Sequence, residues 1–227
     1  MLQIIYEDPY CIAIHKPNNV LVHHSVMANN QLDEKSMVQM LMEQLDRKLY
    51  PVHRLDRKTS GIVLFATKKE YVKNFQELFL NNLIEKTYIG LIRGFIPESG
   101  TIDSPVKGRD ANNHKDALTL YERIETFTIP ISVGPYKNSR YSLVRLQPKT
   151  GRLHQLRIHM NKISHPLIGD AKYGDRFHNR MFEKEFQNEA MFLHAKTLSF
   201  IHPFTLEAIE LETDFPENWK RIINLLK

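Results

Sequence analysis

The chain has 227 residues and a net charge of +5, and 42% of its residues are hydrophobic, 12 Phe and 9 Tyr among them. That is enough apolar material for a real core, and it excludes a disordered chain. The single cysteine, Cys11, excludes an internal disulfide framework and a multi-cysteine zinc site, and no apolar run reaches membrane-spanning length.

Residues 1–8 lack a basic start and meet acids at once, so no signal peptide is expected and the protein is expected in the cytoplasm. Strands are predicted over 2–6 and 11–15, around a turn at Asp8-Pro9. Cys11 falls in the second and reads as an inert core thiol. Lys16-Pro17-Asn18-Asn19 is a further turn, and 20–23 is a short extended piece. Ser36 is placed to cap a helix ending near Leu45, with Met37, Met40, Leu41 and Leu45 on one side.

The run His53-Arg54-Leu55-Asp56-Arg57-Lys58-Thr59-Ser60-Gly61 sets one carboxylate among cations. The apolar Ile62-Val63-Leu64-Phe65-Ala66 after it reads as a buried strand. Asp56 is therefore expected on a loop at the edge of the core. Nearby positive charge favours its ionised form, which suits a nucleophile or an electrostatic stabiliser.

An amphipathic helix is predicted over 68–83 from Tyr71, Val72, Phe75, Leu78, Phe79 and Leu83. Strands follow at 86–93, 119–124 and 140–146, with a polar, exposed excursion at 97–116. A helix is predicted over 152–163, with Leu153, Leu156, Met160 and Ile163 facing the core and His154 and Arg157 on its polar side. Its start, after Lys149-Thr150-Gly151, is either an anion site or an ordinary solvated helix end. Residues 165–174 form a loop with a structural role. A closing strand pair at 191–201 and 208–211 and a helix at 218–226 complete the chain. His194 and His202 read as hydrogen-bonded core residues.

Many strands, few helices and no strict alternation predict an α+β fold. No composition break marks a linker, so a single domain over residues 1–227 is expected. Residues 137–180 hold ten Lys and Arg against two acids, Asp170 and Asp175, a local net of +8, while 201–219 hold five acids and no Lys or Arg. The first segment is either a polyanion-binding surface or a solvated one. There is no Gly-x-Gly-x-x-Gly, no P-loop and no His-Glu-x-x-His, so no nucleotide cofactor and no metal are expected.

Taken together, Ile14-His15-Lys16-Pro17, the 53–66 segment and Lys86-Thr87-Tyr88 resemble the RluA-type pseudouridine synthases. So do Thr150-Gly151-Arg152-Leu153-His154-Gln155-Leu156-Arg157-Ile158-His159, the His165-Pro166…Gly169-Asp170 loop, Leu193-His194-Ala195 and His202-Pro203. Each is weak alone, but their order along nearly the whole chain is specific. Within that family the chain is most similar to the tRNA-specific branch, by Arg140-Tyr141-Ser142-Leu143-Val144, Gln147-Pro148-Lys149 and His178-Asn179-Arg180. His15 departs from the pattern, standing where relatives often carry Asn, and Lys58 lies in a variable slot.

The resemblance implies a long mixed, mainly antiparallel sheet with flanking helices and a central cleft. It implies conversion of a uridine in RNA to pseudouridine: the N1–C1′ bond breaks, the base rotates, and C5 bonds to C1′, without a cofactor. In the tRNA-specific branch the target is uridine 65. Asp56 matches the family's catalytic Asp, whose attack at C1′ or C6, electrostatic role or abstraction of the 2′ proton the sequence leaves open. Tyr88 matches a tyrosine that packs on the base and assists loss of the C5 proton. Arg157 matches the basic residue that pairs with the Asp. Arg54 matches an arginine that enters the RNA where the base leaves, and His53, Lys149, Arg152 and His154 are further candidates for RNA contact. Leu156 and Ile158 are candidates for the wall of the base pocket. The expected partner is tRNA, with ribosomal RNA as the alternative. No protein partner and no membrane are expected. A reading from another class is an RNA-binding or chaperone-like protein with a minor catalytic role.

Overall fold

The computed structural model describes residues 1–24, 34–107 and 113–227. Along the chain these form β1 (Ile4–Glu7), β2 (Cys11–Lys16), α1 (Met37–Leu45), β3 (Tyr50–Pro51), β4 (Ser60–Ala66) and α2 (Val72–Leu80), then β5 (Glu85–Arg93), β6 (Ser99–Asp103), β7 (Val106–Lys107) and β8 (His114–Lys115). They continue with β9 (Leu118–Ile129), β10 (Ser139–Pro148), α3 (Gln155–Lys162), α4 (Arg176–Phe186), β11 (Leu193–Ile201), β12 (Ala208–Glu212) and α5 (Glu217–Leu226). The class is α+β, as expected from the order of elements.

Two compact units emerge, each built from two stretches of chain: residues 1–86 with 195–214, and 87–194 with 215–227. In the first, the strand order is β1-β2-β4-β11, with β12 on β11 and β3 on β4. β4 is buried at all seven positions, so its sequence is one apolar run instead of an alternation. Ile62 and Leu64 pack with Phe75 of α2 and with Leu198, Ile209 and Leu211. Each such side chain stabilises the fold by about 1.5–3 kcal/mol. α1 is held at its start by Gln39, whose side chain accepts the Ser36 amide, and by the Leu21 and Val22 carbonyls, which accept the amides of Met37 and Val38. Those two carbonyls cap the helix, which is why residues 20–23 bend where a short extended piece was expected.

In the second unit the order is β5-β10-β9-β6, all antiparallel, and β7 pairs β8 separately. One core gathers Tyr141, Phe182, Phe192, Trp219 and Ile222. A second gathers Ile92, Val144, Leu146, Leu156 and Met160, with Tyr88 packed against it.

The structure departs from the sequence expectations at four further elements. The helix predicted over 68–83 is a short 3-10 turn followed by α2, which stops at Leu80, and Leu83 is 60% exposed beyond it. The 97–116 excursion contributes β6, paired with β9, and buries Ile102 and Val106, so it is not a wholly exposed loop. Its residues 108–112 lie outside the described residues. α4 was not foreseen. Asp175 caps it by accepting the Phe177 and His178 amides, and Met181, Phe182 and Phe186 bury one face. Finally, α3 begins at Gln155, three residues later than expected. His154 stands outside it in the left-handed region at φ 55°, and Leu153 is 41% exposed instead of facing the core.

Candidate active site

Asp56 opens a tight turn in which the Thr59 amide donates to the Asp56 carbonyl at 3.0 Å. The turn is fastened to the Lys16-Pro17-Asn18-Asn19 turn by three hydrogen bonds. Lys16 Nζ donates to the Arg57 carbonyl at 2.8 Å, Asn18 Nδ2 to the Lys58 carbonyl at 2.5 Å, and Arg57 Nε to the Asn19 carbonyl at 2.9 Å. Lys16 Nζ also reaches the Pro17 carbonyl at 2.8 Å. The Lys16 side chain is fully buried. Burial pushes its ammonium down to about 7, and Arg57 adds to this, while the Asp56 carboxylate opposes both. The sequence marked the Lys16-Pro17 turn without giving it a task; its side chains hold the backbone that carries Asp56.

Around this turn Arg54 is exposed and Leu55 is buried. His53 Nε2 accepts the Leu64 amide at 3.0 Å, and the ring stacks on Phe79 with centroids 4.4 Å apart. Burial pushes His53 down to about 3, with Lys86 adding to the effect, so the ring is neutral at pH 7. Its polar edge is committed to β4. Gly61 follows, at φ 114°, where a Cβ would lie 2.2 Å from the Ala195 carbonyl oxygen. Only glycine fits there.

Tyr88 and Arg157 belong to the second unit. Tyr88 lies on β5 opposite Leu146 of β10, half-buried against the Leu156 core. Arg157, expected on the polar side of its helix, is buried. Its Nε donates to Asp170 Oδ2 at 2.7 Å and a terminal nitrogen donates to Oδ1 at 2.8 Å, a two-point pair. The guanidinium carbon sits 5.1 Å from the Tyr173 ring centre. Oδ1 of Asp170 also accepts the Lys172 and Tyr173 amides. Burial works against the Asp170 charge, but Arg157 and these amides hold the carboxyl below the usual carboxylate range. The loop around Asp170 depends on Gly169 at φ 78°, where a Cβ would meet the Ala190 carbonyl oxygen at 2.1 Å.

The sequence reading gave Asp170 only a structural loop. Its signal was available, since it is one of two acids among the ten cations of 137–180. Of the other candidates, Leu156 is a core residue and Ile158 is half-buried. Lys149 and Arg152 are exposed, with Arg152 Nε donating to the Asp116 carbonyl at 3.0 Å. His154 Nδ1 is 3.1 Å from the Tyr173 hydroxyl.

One group among the described residues has the composition of a metal site: Asp8, Cys11 and His202, with ligand-type atoms within 4.8 Å. Asp8 and His202 already accept backbone amides. His202 Nδ1 accepts the Phe204 and Thr205 amides, and its Nε2 lies 3.1 Å from Asp8 Oδ2. Asp8 further accepts the Tyr10 and Cys11 amides and the Tyr6 hydroxyl, and burial pushes the Cys11 thiol up, with Asp8 adding to it. The cluster is a hydrogen-bonded turn, unsuited to a cation.

Residues 10–162, which contain the Asp56 turn, Tyr88 and Arg157, match the RNA pseudouridylate synthase model. The chain belongs to this RluA-type family of RNA isomerases. Two similar proteins are tRNA pseudouridine synthase C of Vibrio cholerae and of Haemophilus ducreyi. The first is 35% identical over 99% of this chain and 95% of its own length. The second is 39% identical over 98% and 95%. Among solved structures, Human RNA Pseudouridylate Synthase Domain Containing 1 superposes with a TM-score of 0.74 and 26% identity, over 95% of this chain and 84% of its own. Human RNA Pseudouridylate Synthase Domain Containing 4 gives 0.71 and 26%, over 98% and 92%. Among the described residues of this pseudouridine synthase, no helix is long and apolar enough to cross a membrane.

Proposed function

We propose that this protein isomerises a uridine of tRNA, uridine 65, to pseudouridine, with Asp56 as the catalytic carboxylate. The observation that carries the tRNA reading is the near full-length similarity to proteins named tRNA pseudouridine synthase C.

The chemistry needs an ionised carboxylate at the sugar while N1 leaves C1′, and then a new bond from C5 to the same carbon. The hydrogen on C5 leaves as a proton, so no oxidant, reductant or cofactor enters the balance. Asp56 supplies the carboxylate on a turn fixed from beneath by Lys16 and Asn18. Tyr88 offers a half-buried ring as the face on which the base packs and assists loss of the C5 proton. Arg157 is the basic residue of the reaction, and Asp170 fixes its guanidinium. Leu156 and Ile158 form the apolar wall.

Arg54, exposed beside Asp56, enters the RNA where the uridine leaves, and a planar guanidinium suits a stacking gap. Extrusion costs roughly a few kcal/mol, which such stacking offsets. Lys149, Arg152 and His154 contact the RNA, and His53 supports the Asp56 turn from its place on β4 and Phe79.

The test is carbodiimide mapping of pseudouridine in tRNA and ribosomal RNA from cells lacking this protein. A mark lost at tRNA position 65 supports the reading. A mark lost only from ribosomal RNA contradicts it in favour of a ribosomal substrate, and no lost mark in either favours a binding role.

A further inference from the structure

A buried polar chain runs through the second unit on the side of α3 away from Asp170. Gln155 and His159 lie four residues apart on α3, so they share a face, with Arg157 midway between them in sequence. At 100° per residue Arg157 projects from roughly the opposite face. Both Gln155 and His159 reach a single hydroxyl, that of Thr119 on β9. Gln155 Nε2 lies 3.0 Å from Thr119 Oγ1, and His159 Nδ1 lies 2.9 Å from it. Thr119 and His159 are fully buried and Gln155 nearly so.

The direction of every proton in this chain is fixed by backbone groups at its ends. The Arg152 amide can only donate, and it donates to Gln155 Oε1 at 3.0 Å, beside the Thr150 hydroxyl at 2.7 Å. The Leu118 carbonyl can only accept, and it takes Gln155 Nε2 at 3.0 Å. Gln155 therefore presents N–H to Thr119. At the other end the Ser104 carbonyl can only accept, so His159 Nε2, 2.8 Å away, carries the proton. The neutral ring leaves Nδ1 bare, and the Thr119 hydroxyl must donate to it. Thr119 thus accepts from one helix residue and donates to the other. Burial, with Lys162 adding to it, favours the neutral ring over the opposing effect of the Ser104 carbonyl and Asp103.

We propose that Thr119 is a positioning residue for Arg157: its hydroxyl sets the rotation and height of α3, and so the place of the guanidinium on the far face. This rests on the assignment of Arg157 to the reaction. Ser104, which closes the chain, lies in the 97–116 segment, as does Pro105, whose carbonyl accepts Lys162 Nζ at 3.1 Å. That segment thereby buttresses the helix carrying Arg157.

The experiment compares Thr119→Val, which keeps the shape and removes the hydroxyl, with Thr119→Ser, which keeps the hydroxyl, using C5-tritiated tRNA and following tritium release. Misplacement of a group near the chemistry costs on the order of 100-fold. Thr119→Val is expected to lower kcat by about 10- to 100-fold with KM moved less than about threefold, and Thr119→Ser to stay within about threefold of wild type. Wild-type kcat in Thr119→Val overturns the proposal, as does an equal loss in both variants. A second measurement needs no variant. Imidazole 15N spectra of the wild-type protein are expected to show His159 neutral with its proton on Nε2 at about pH 7.5, well above the ordinary histidine value near 6.5, and an Nδ1–H form or an imidazolium there overturns the network. Wild-type turnover in Arg157→Ala overturns the proposal too, while Asp56→Asn separately tests the function on which it rests.

Discussion

Arg157 and Asp170 meet through two hydrogen bonds of 2.7 and 2.8 Å, both side chains almost removed from water. Thirteen residues separate them, and the loop that returns Asp170 to the helix is closed by its own amides. A buried pair of this kind is costly to break from one side, because the remaining buried charge loses its two-point partner. Asp170→Asn is expected to lower stability by about 3–5 kcal/mol in urea unfolding, and to lower turnover further than the residual folded fraction explains. An Asn variant as stable and active as wild type would show that the pair does not orient Arg157. The sign with pH follows from the depressed carboxyl: the contribution is complete above about pH 5 and is lost as pH falls through the folded value.

His53 gives a second pH window. Its folded pKa is about 3, below the unfolded value near 6.5. Between these values only the unfolded chain binds the proton, so stability rises with pH across the window and is lost as pH falls from about 6.5 toward 3. Urea midpoints of wild type are expected to drop between pH 7 and 4.5, and those of His53→Gln to drop less. Equal slopes in the two proteins would contradict a ring kept neutral by its surroundings.

Gly61 sits where the Asp56 loop enters β4. Gly61→Ala asks an L residue to adopt φ 114° and places its Cβ 2.2 Å from the Ala195 carbonyl oxygen. Backbone would have to move on both sides of a fully buried strand. We expect the variant to lose more than about 4 kcal/mol, the range of the largest single-residue effects, read as a fall in thermal midpoint and in soluble yield. A midpoint within a degree or two of wild type would refute the close approach.

Arg152 is exposed, and its side chain donates to the Asp116 carbonyl. As a phosphate contact, Arg152→Ala should reduce the slope of log affinity against log salt by about 1 without altering the folded protein. Filter binding with tRNA across a salt series reads this directly. An unchanged slope would remove Arg152 from the RNA surface.

Local patterns in the sequence carried much of this fold. The apolar run at 62–66 became β4, and the alternation of strands and turns foretold the α+β class. α4 was equally readable: Asp175 is an N-cap, and Met181, Phe182 and Phe186 fall on one side. The start of α3 was not, because Arg152, Leu153 and His154 have ordinary helix propensities and only the left-handed backbone at His154 stops the helix there. Long-range pairing was least legible. Residue spacing says nothing about Lys16 reaching the Arg57 carbonyl, or Asp170 returning to Arg157, since both depend on how distant strands and loops are brought together. The chemistry of Asp56 was suggested by its cationic neighbours, yet the residues that hold its turn, Lys16 and Asn18, emerge only from the folded chain.

The central claim is that Asp56 is the carboxylate of the reaction. Asp56→Asn keeps the size of the side chain and the turn held by Lys16 and Asn18, and removes only the charge. The measurement is release of tritium from C5-labelled tRNA by the purified variant, alongside its affinity for the same tRNA. The account predicts near wild-type binding and no tritium release above background. Release at a rate comparable to wild type would contradict it.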